Sequence, residues 1–524
     1  MLEKLKKGTM ESKIDRRGFM NKALLTGAGV AGAVAMPSVA VAKKPKRGGV
    51  LRLGSNGAST STTFDPALFG DNWSFLLGET IFNRLTILNN DNVIEPELAT
   101  DWTPSKDGMS WVVNLRKGVE WHDGSEFTAD DVTFSLNRHI GPDSKSTAKG
   151  IVESWKTVKK TGKYQVTIIL KTPDYDLPYI LNQTRLLMVK NDTTDWMNPI
   201  GTGAYMMTKY NPGATFEAKR NPNYFKSDAG YFDAVQYIAI NDDTSRINAL
   251  LSGAVDVIRE VPFGLASRIE KHSKYNVVKS DVGQYLCNDM NCKKGWTKDN
   301  NARLALKYGT DRQAILDIVL DGYGSIANDQ PIFKGDALYN ENIPQRTFDA
   351  DKAKYYWKKT GLGNTEIAFD TSSGVYAGAV KQALVLAENY KKTGINLKIN
   401  KNPADGYWSD VWGKKPFVAN YWGRRSTSSI TFANAYGTKS SGNSVGFSDE
   451  KFDDLLIKLK KEKNNTVRKE ISGKMQKIIH EKGGVGIPVF YSILDASSTK
   501  VKGLEPHGVL ALNNYRIAEK GWFE

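Results

Sequence analysis

The chain has 524 residues, 40% hydrophobic and 25% charged, with a formal net charge of +15. That length exceeds what a single hydrophobic core supports, so at least two lobes are expected. A basic balance suits nucleic acid, an anionic membrane face or anionic ligands; the N-terminus argues for export, and so against nucleic acid.

Lys4, Lys6, Lys7 and Lys13 precede Asp15-Arg16-Arg17-Gly18-Phe19-Met20, and a weakly apolar run follows over residues 23–35. Ala40-Val41-Ala42 has the small–x–small form that a signal peptidase reads. This is the layout of an export signal over residues 1–42, cleaved near Ala42. The paired arginines before Gly-Phe resemble the twin-arginine address for folded cargo. The run is too short and too rich in Gly and Ala for a retained span, which needs about 20 predominantly apolar residues. Removing it takes away seven Lys/Arg and three acids and leaves about +11. No cysteine stands at the cleavage site to carry a lipid, so the periplasm is the expected compartment. Cys287 and Cys292 are the two cysteines. Five strand steps span roughly 16 Å, beyond the ~7 Å Cα limit for a disulfide. A bridge therefore needs an intervening turn, and both the free and the bridged form stay open.

After the linker at 43–49, short strands alternate with helices and no repeat appears, the pattern of an α/β protein. Residues 50–54 read as a strand. Residues 73–85 have helical spacing of apolar side chains, and 110–121 alternate like a strand. Thr128 is the expected N-cap of a helix with Asp130 and Asp131 in its first turn. Residues 302–319 read as one strong helix. Residues 380–392 read as another, which Gly394 ends before a strand at 395–399. A helical pair at 452–459 and 467–480 closes the chain.

Catalytic signatures are weak. His122-Asp123 looks like a base with an orienting acid, yet neighbours on a strand point to opposite faces, so a structural histidine is expected. The other histidines lack metal-ligand spacing. There is no GxSxG elbow and no GxxxxGK[ST] loop. Gly201-Thr202-Gly203 reads as a tight turn rather than a nucleotide cradle. Helix-start and turn roles account for Asp130-Asp131 and Asp242-Asp243. The expectation is binding without covalent chemistry, without metal and without a cofactor.

The blocks "KRGGVLRLGSN", "FDPAL", "PELATDWTPSKDGMSWVVNLRKGVEWHDGSEFTADDVTFSL", "NPIGTGAYMMTKYNPG", "RNPNYF", "SRINALLSGAVDVI", "ARLALKYGTDRQAILDIVLDGYG" and "SVGFSDEKFDDLL" occur in this order. Together they resemble the family 5 extracellular solute-binding proteins, receptors of peptide, dipeptide and nickel ABC importers. The resemblance covers essentially all of the chain after residue 42. It implies an α/β, two-lobed periplasmic binding protein, a Venus flytrap with a discontinuous large lobe and crossover hinge strands. Lobe I would comprise residues 43–283, including an extra subdomain, and 490–524; lobe II would comprise 284–489. The crossovers would fall near 282–290 and 487–491. A monomer would enclose a small-molecule or peptide ligand by hinge closure and present it to an inner-membrane ABC permease.

A trapped ligand needs flat apolar walls and a few fixed polar groups. Residues 407–436, "YWSDVWGKKPFVANYWGRRSTSSITFANAY", concentrate both. Tyr407, Trp408, Trp412, Tyr421 and Trp422 supply surfaces, Ser426 to Ser429 supply hydroxyls, and Arg424 and Arg425 supply guanidinium forks matched to carboxylate or phosphate. In the peptide-binding branch the resemblance places an aspartate here to hold a ligand's ammonium. This chain has Gly423-Arg424-Arg425 instead, so the expected ligand is anionic. The Gly-Arg-x-Thr pattern resembles another branch, with Arg425 and Thr427 at its recurring arginine and threonine. The expected ligand contacts are Arg425, Arg424, Trp422, Thr427, Tyr421 and Trp408. Asn56, Trp73, Tyr376 and Tyr285, with Gln284 beside the last, come from loops that the family places at the cleft. For the arginines, bracing the fold against a nearby acid is the competing role. Competing functions are a conventional dipeptide or oligopeptide receptor, a secreted hydrolase and a periplasmic chaperone.

Overall fold

The computed structural model describes residues 44–376, 378–509 and 511–524; the expected export signal and its Ala42 cleavage point lie outside the described residues. From Pro45 onward the chain forms one unit, organised by an eleven-stranded mixed sheet. Across it the order is Leu397–Lys401, Ile367–Thr371, Phe417–Trp422, Tyr275–Met290, Val485–Ser498, Val257–Ile258, Val50–Ser55, Ala234–Ala239, Thr215–Arg220 and Tyr205–Asn211, with Gly324–Ile326 added against Val485–Ser498.

Two strands in that order are unusually long. Tyr275–Met290 and Val485–Ser498 pair antiparallel from Tyr275 opposite Ser498 to Asp289 opposite Val485. At one end Val485–Ser498 also pairs with Val257–Ile258. At the other, Tyr275–Met290 pairs with Phe417–Trp422. The two strands thus carry the sheet from one lobe into the other. Their register breaks between Ser280 and Gln284, where Gly283 takes φ 65°, a left-handed conformation that favours glycine. A Cβ at Gly283 would stand 3.0 Å from Arg424 Cδ and from Phe333 Cβ, so glycine here also admits the Arg424 side chain.

A separate four-stranded antiparallel sheet follows the order Ala99–Pro104, Ser110–Leu115, Gln165–Leu170 and Trp155–Gly162. Its apolar face packs under the helix Ala129–Asn137 in a core of Trp111, Trp121, Phe127, Val132 and Trp155. Ile430, from the far lobe, enters the same core. No described helix is long and apolar enough to cross a membrane.

Local chemistry explains most element ends. Thr128 accepts from Asp130 N while Asp131 reaches back to Thr128 N at 2.7 Å, a capping box. The expected helix over 302–319 is two helices, Asn300–Tyr308 and Arg312–Leu320. The apolar spacing continues across the join, but Gly309 ends the first helix. Asp311 starts the second by accepting from Ala314 N at 3.1 Å. The helix expected over 73–85 is Asn72–Ile81, ended by extended backbone at Phe82. The strand expected over 110–121 stops at Leu115 before a turn at Gly118, φ 71°.

Candidate functional site

The strand Phe417–Trp422 delivers Tyr421 and Trp422 to the junction of the lobes, and the helix Ser428–Tyr436 begins at Thr427. The loop between them carries both arginines, and their environments differ. Arg424 is almost buried. It donates through Nη1 to Gly508 O at 2.7 Å and through Nη2 to Asp336 Oδ2 at 3.4 Å. Ser428 Oγ donates to the other oxygen of Asp336 at 2.9 Å. Arg424, expected among the ligand contacts, is therefore engaged as a brace between the C-terminal return and the 336 loop.

Arg425 has no such partner among the described residues. Its Nε is buried without an acceptor, and its guanidinium lies 5.7 Å from the centre of the Trp422 ring. Burial pushes its pKa down, and only the Tyr285 and Tyr421 hydroxyls oppose that shift. An uncompensated buried charge is unfavourable, and no described acid offsets this one.

Sequence reasoning missed its counterpart. Arg185, in a single helical turn at Thr184–Leu186, donates through Nε to Phe69 O at 2.9 Å and to Thr147 Oγ1 at 2.8 Å. Its guanidinium lies 5.1 Å from the centre of the Phe75 ring, and no described acid pairs with it. Burial, and then the charge of Arg425, hold its pKa down at about 10. Two guanidinium groups with no acid partner among the described residues thus feel each other's field. No local pattern marks Arg185; an isolated arginine in an apolar stretch was the available signal.

Aromatic walls adjoin Arg425. Tyr421 meets Trp408 edge-on at 5.9 Å and Tyr376 at 6.5 Å, and Trp408 meets Trp412 at 5.9 Å. Tyr421 and Trp408 remain 39% and 41% exposed, unusual for large rings and suited to stacking against a solute. Tyr376 Oη is buried without a partner. Surface hollows of about 270 and 210 Å³, beside Val50 and Thr208 and beside His139 and Trp155, are lined by none of these residues.

Other expected contacts have structural duties. Trp73 is fully buried in the core around Leu53 and Phe216, because the apolar face of its helix turns inward. Tyr285 is buried, with its hydroxyl 3.1 Å from that of Tyr436. Thr427 caps its helix and donates to Asp176 Oδ2 at 3.0 Å. Asn56 donates to Glu260 Oε2 at 2.9 Å and accepts from Asn72. Gln284 Oε1 accepts from the Tyr491 hydroxyl.

The catalytic candidates are also engaged. Gly201 N donates to His122 Nδ1 at 3.2 Å, so Nε2 carries the proton toward Gly203 O at 3.1 Å. Burial pushes this imidazole down to about 4. Asp123 turns instead to Lys190 and Ser125, so the pair forms no dyad. Cys287 and Cys292 are free thiols. Among the described residues no three His, Cys, Asp or Glu side chains cluster as a metal site.

A sequence model of the bacterial extracellular solute-binding proteins, family 5 (middle region), matches residues 93–444. The oligopeptide-binding protein AppA of Bacillus subtilis is 27% identical over 383 residues, covering 68% of this chain and 70% of AppA. Heme-binding protein A of Haemophilus influenzae is 25% identical over 482 residues, covering 84% and 87%. The structure of the ABC transporter-associated periplasmic binding protein DppA from Helicobacter pylori, in complex with the peptide STSA, superposes with a TM-score of 0.78. It is 24% identical, and the match covers 91% of this chain and 99% of DppA.

Proposed function

Because this chain belongs to the bacterial extracellular solute-binding proteins, family 5, we propose that it is the periplasmic receptor of an ABC importer. It binds a peptide-like or other small organic solute with an anionic group and delivers it to an inner-membrane permease, with no covalent chemistry. The lobes are bounded at 43–283 with 490–524 and at 284–489, and the working form is a monomer exported through the twin-arginine route.

Arg425 carries this reading. Its guanidinium is desolvated, has no acid partner among the described residues, stands beside exposed aromatic rings and faces the charge of Arg185. A carboxylate or phosphate supplies the missing acceptor through two parallel charge-assisted hydrogen bonds. The ligands in the names of the relatives, oligopeptide and heme, differ widely, so the solute class rests on this arginine rather than on kinship.

A thermal-shift screen of residues 43–524 against peptides, amino acids, organic acids, opines, sugars and cations tests it. A ligand at a hundredfold excess over its Kd adds about 2.7 kcal/mol of stability. Stabilisation by anionic solutes is expected; hits confined to cations or neutral sugars overturn the reading.

A further inference from the structure

The hollow of about 210 Å³ beside His139 and Trp155 is lined only by residues between 139 and 171 and so lies away from the junction of the lobes. It is built within the subdomain of the four-stranded sheet, by the loop that follows the helix Ala129–Asn137 and by the adjoining ends of the strands Trp155–Gly162 and Gln165–Leu170. Lys171 N donates to Ser154 O at 2.7 Å, which holds those two ends together. Ile140, Pro142 and Val152 supply an apolar wall.

The hydrogen bonds fix what else the hollow offers. Ser146 Oγ accepts from Ala148 N at 3.0 Å and lies 2.6 Å from His139 Nδ1. A proton on Nδ1 would leave the almost buried Ser146 hydroxyl without a described acceptor and Nε2 without a described donor. The hydroxyl therefore donates to Nδ1, and the ring carries its proton on Nε2, for which no described group is an acceptor. Burial, and then the charge of Arg138, push this imidazole down to about 3, so the ring is neutral. Trp155 is fully buried, and its Nε1–H also lacks a described acceptor, although a buried indole N–H ordinarily has one. Two neutral donors thus line one hollow.

The rim is basic. Lys149 Nζ donates to Pro142 O, and Lys171 Nζ donates to Glu153 O at 3.0 Å. Backbone carbonyls hold both ammonium groups in place, no described acid pairs with either, and each keeps two further N–H donors. The one acid on the lining, Glu153, is exposed, so its carboxylate acts through high-dielectric solvent.

We propose that this hollow is a second binding site, for the carboxylate of a small organic acid, which accepts from His139 Nε2 and Trp155 Nε1 while Lys149 and Lys171 neutralise its charge. The volume falls short of the roughly 300–1,000 Å³ of pockets for drug-sized ligands, so a short aliphatic or single-ring acid fits and a peptide does not. Every lining residue belongs to one subdomain. The site is therefore complete whether the lobes are open or closed, and it stands independently of the reading of Arg425.

The probes are butyrate and benzoate, with butylamine and sodium chloride at equal ionic strength as controls, followed by nuclear magnetic resonance of the indole N–H groups in isotope-labelled residues 43–524. Trp155→Phe assigns the Trp155 resonance by its disappearance. That resonance should move saturably with either acid and stay in place with the controls. Lys149→Ala combined with Lys171→Ala changes two exposed positions and should fold as wild type does. The double variant should weaken the titration at least tenfold, as lost charge-assisted hydrogen bonds require, and His139→Phe should abolish it. Arg425→Ala should leave it unchanged. A resonance that stays in place or drifts without saturating, an equal shift with sodium chloride, or wild-type affinity in the double lysine variant overturns the site. A shift that disappears in Arg425→Ala overturns it too, by assigning the signal to the junction of the lobes.

Discussion

Arg468 and Asp176 form an ion pair of 2.6 Å across the junction of the lobes, with both side chains almost buried. Asp176 Oδ2 also accepts from Thr427 at 3.0 Å and from Ser429, and Ser426 takes a hydrogen bond from Gln183. With Arg424 bonded to Gly508 O just before Arg425 and these three residues bonded just after it, the loop is fastened on both sides of that residue. Removing one partner of a buried pair costs about 3–5 kcal/mol, but opening the lobes lets water reach Asp176. Arg468→Ala should therefore open before it unfolds. Small-angle scattering of the unliganded variant should show a larger radius of gyration than wild type. An unchanged profile with an unchanged melting temperature means that this pair does not hold the lobes together.

Acid should destabilise the fold through its histidines. Burial pushes His122, His139, His480 and His507 down to about 4, 3, 4 and 4. The ordinary value is 6.5, so as pH falls the unfolded chain takes these protons first. Stability present above pH 6.5 is then lost progressively toward pH 4. Asp174 and Asp289, pushed up to about 6 by burial, work in the opposite direction because the folded chain protonates first. Lys307, pushed down from 10.5 to about 7 by burial, sides with the histidines: below pH 10.5 the unfolded chain holds the extra proton, and the loss of stability runs to completion as pH falls through 7. The four histidines outweigh the two acids, each tenfold difference in proton affinity being about 1.4 kcal/mol. The urea midpoint should be lower at pH 5 than at pH 7; a constant or higher midpoint at pH 5 contradicts this balance.

The parts of the fold set by local chemistry were legible in the sequence. Thr128 and Gly394 act where their residue types say they should, the latter at φ 74°. The join at Gly309-Thr310-Asp311 was misread because apolar spacing persists on both sides, and the stop and the cap are each a single residue. The site divides along the same line. Arg424 and Arg425 announced themselves as a dense cluster, yet only partners far along the chain, Asp336 and Gly508 for one and Arg185 for the other, separate a brace from an open fork. Arg185 lies in an apolar stretch, and its meaning comes from Arg425 and Phe75, which the fold alone brings near.

The Gly201-Thr202-Gly203 turn yields a sharp stability test. A Cβ at Gly201 would stand 1.8 Å from the Ile81 carbonyl oxygen, and one at Gly203 2.5 Å from the Ile81 carbonyl carbon. The glycines serve close backbone packing at the end of the helix Asn72–Ile81, and Gly203 N donates to that same oxygen at 2.8 Å. Gly201→Ala must displace backbone rather than a side chain, and overpacking of this kind costs about 1–3 kcal/mol or more. Its melting temperature should fall by several degrees. Added nucleotide should shift neither protein; an unaltered melt, or a nucleotide-dependent shift in wild type alone, argues for a different role.

The adjacent arginines should respond in opposite ways to truncation. Arg424→Ala removes the bonds to Gly508 and Asp336 and leaves Asp336 with Ser428. The unliganded protein should lose about 1.5–3 kcal/mol, as expected for a hydrogen bond to a charged group. Arg425→Ala removes a desolvated charge that has no acid partner among the described residues and is repelled by Arg185, so the unliganded melting temperature should stay level or rise. Affinity for an anionic hit should nevertheless drop more than tenfold, since a tenfold loss needs only about 1.4 kcal/mol. Arg185→Ala should lose affinity as well, but with a lower unliganded melting temperature, because the bonds to Phe69 O and Thr147 Oγ1 go with it. Paired melts without ligand and calorimetry with it separate the roles. If Arg425→Ala melts lower and binds as wild type does, the residue is a second brace and the solute's negative end is held elsewhere.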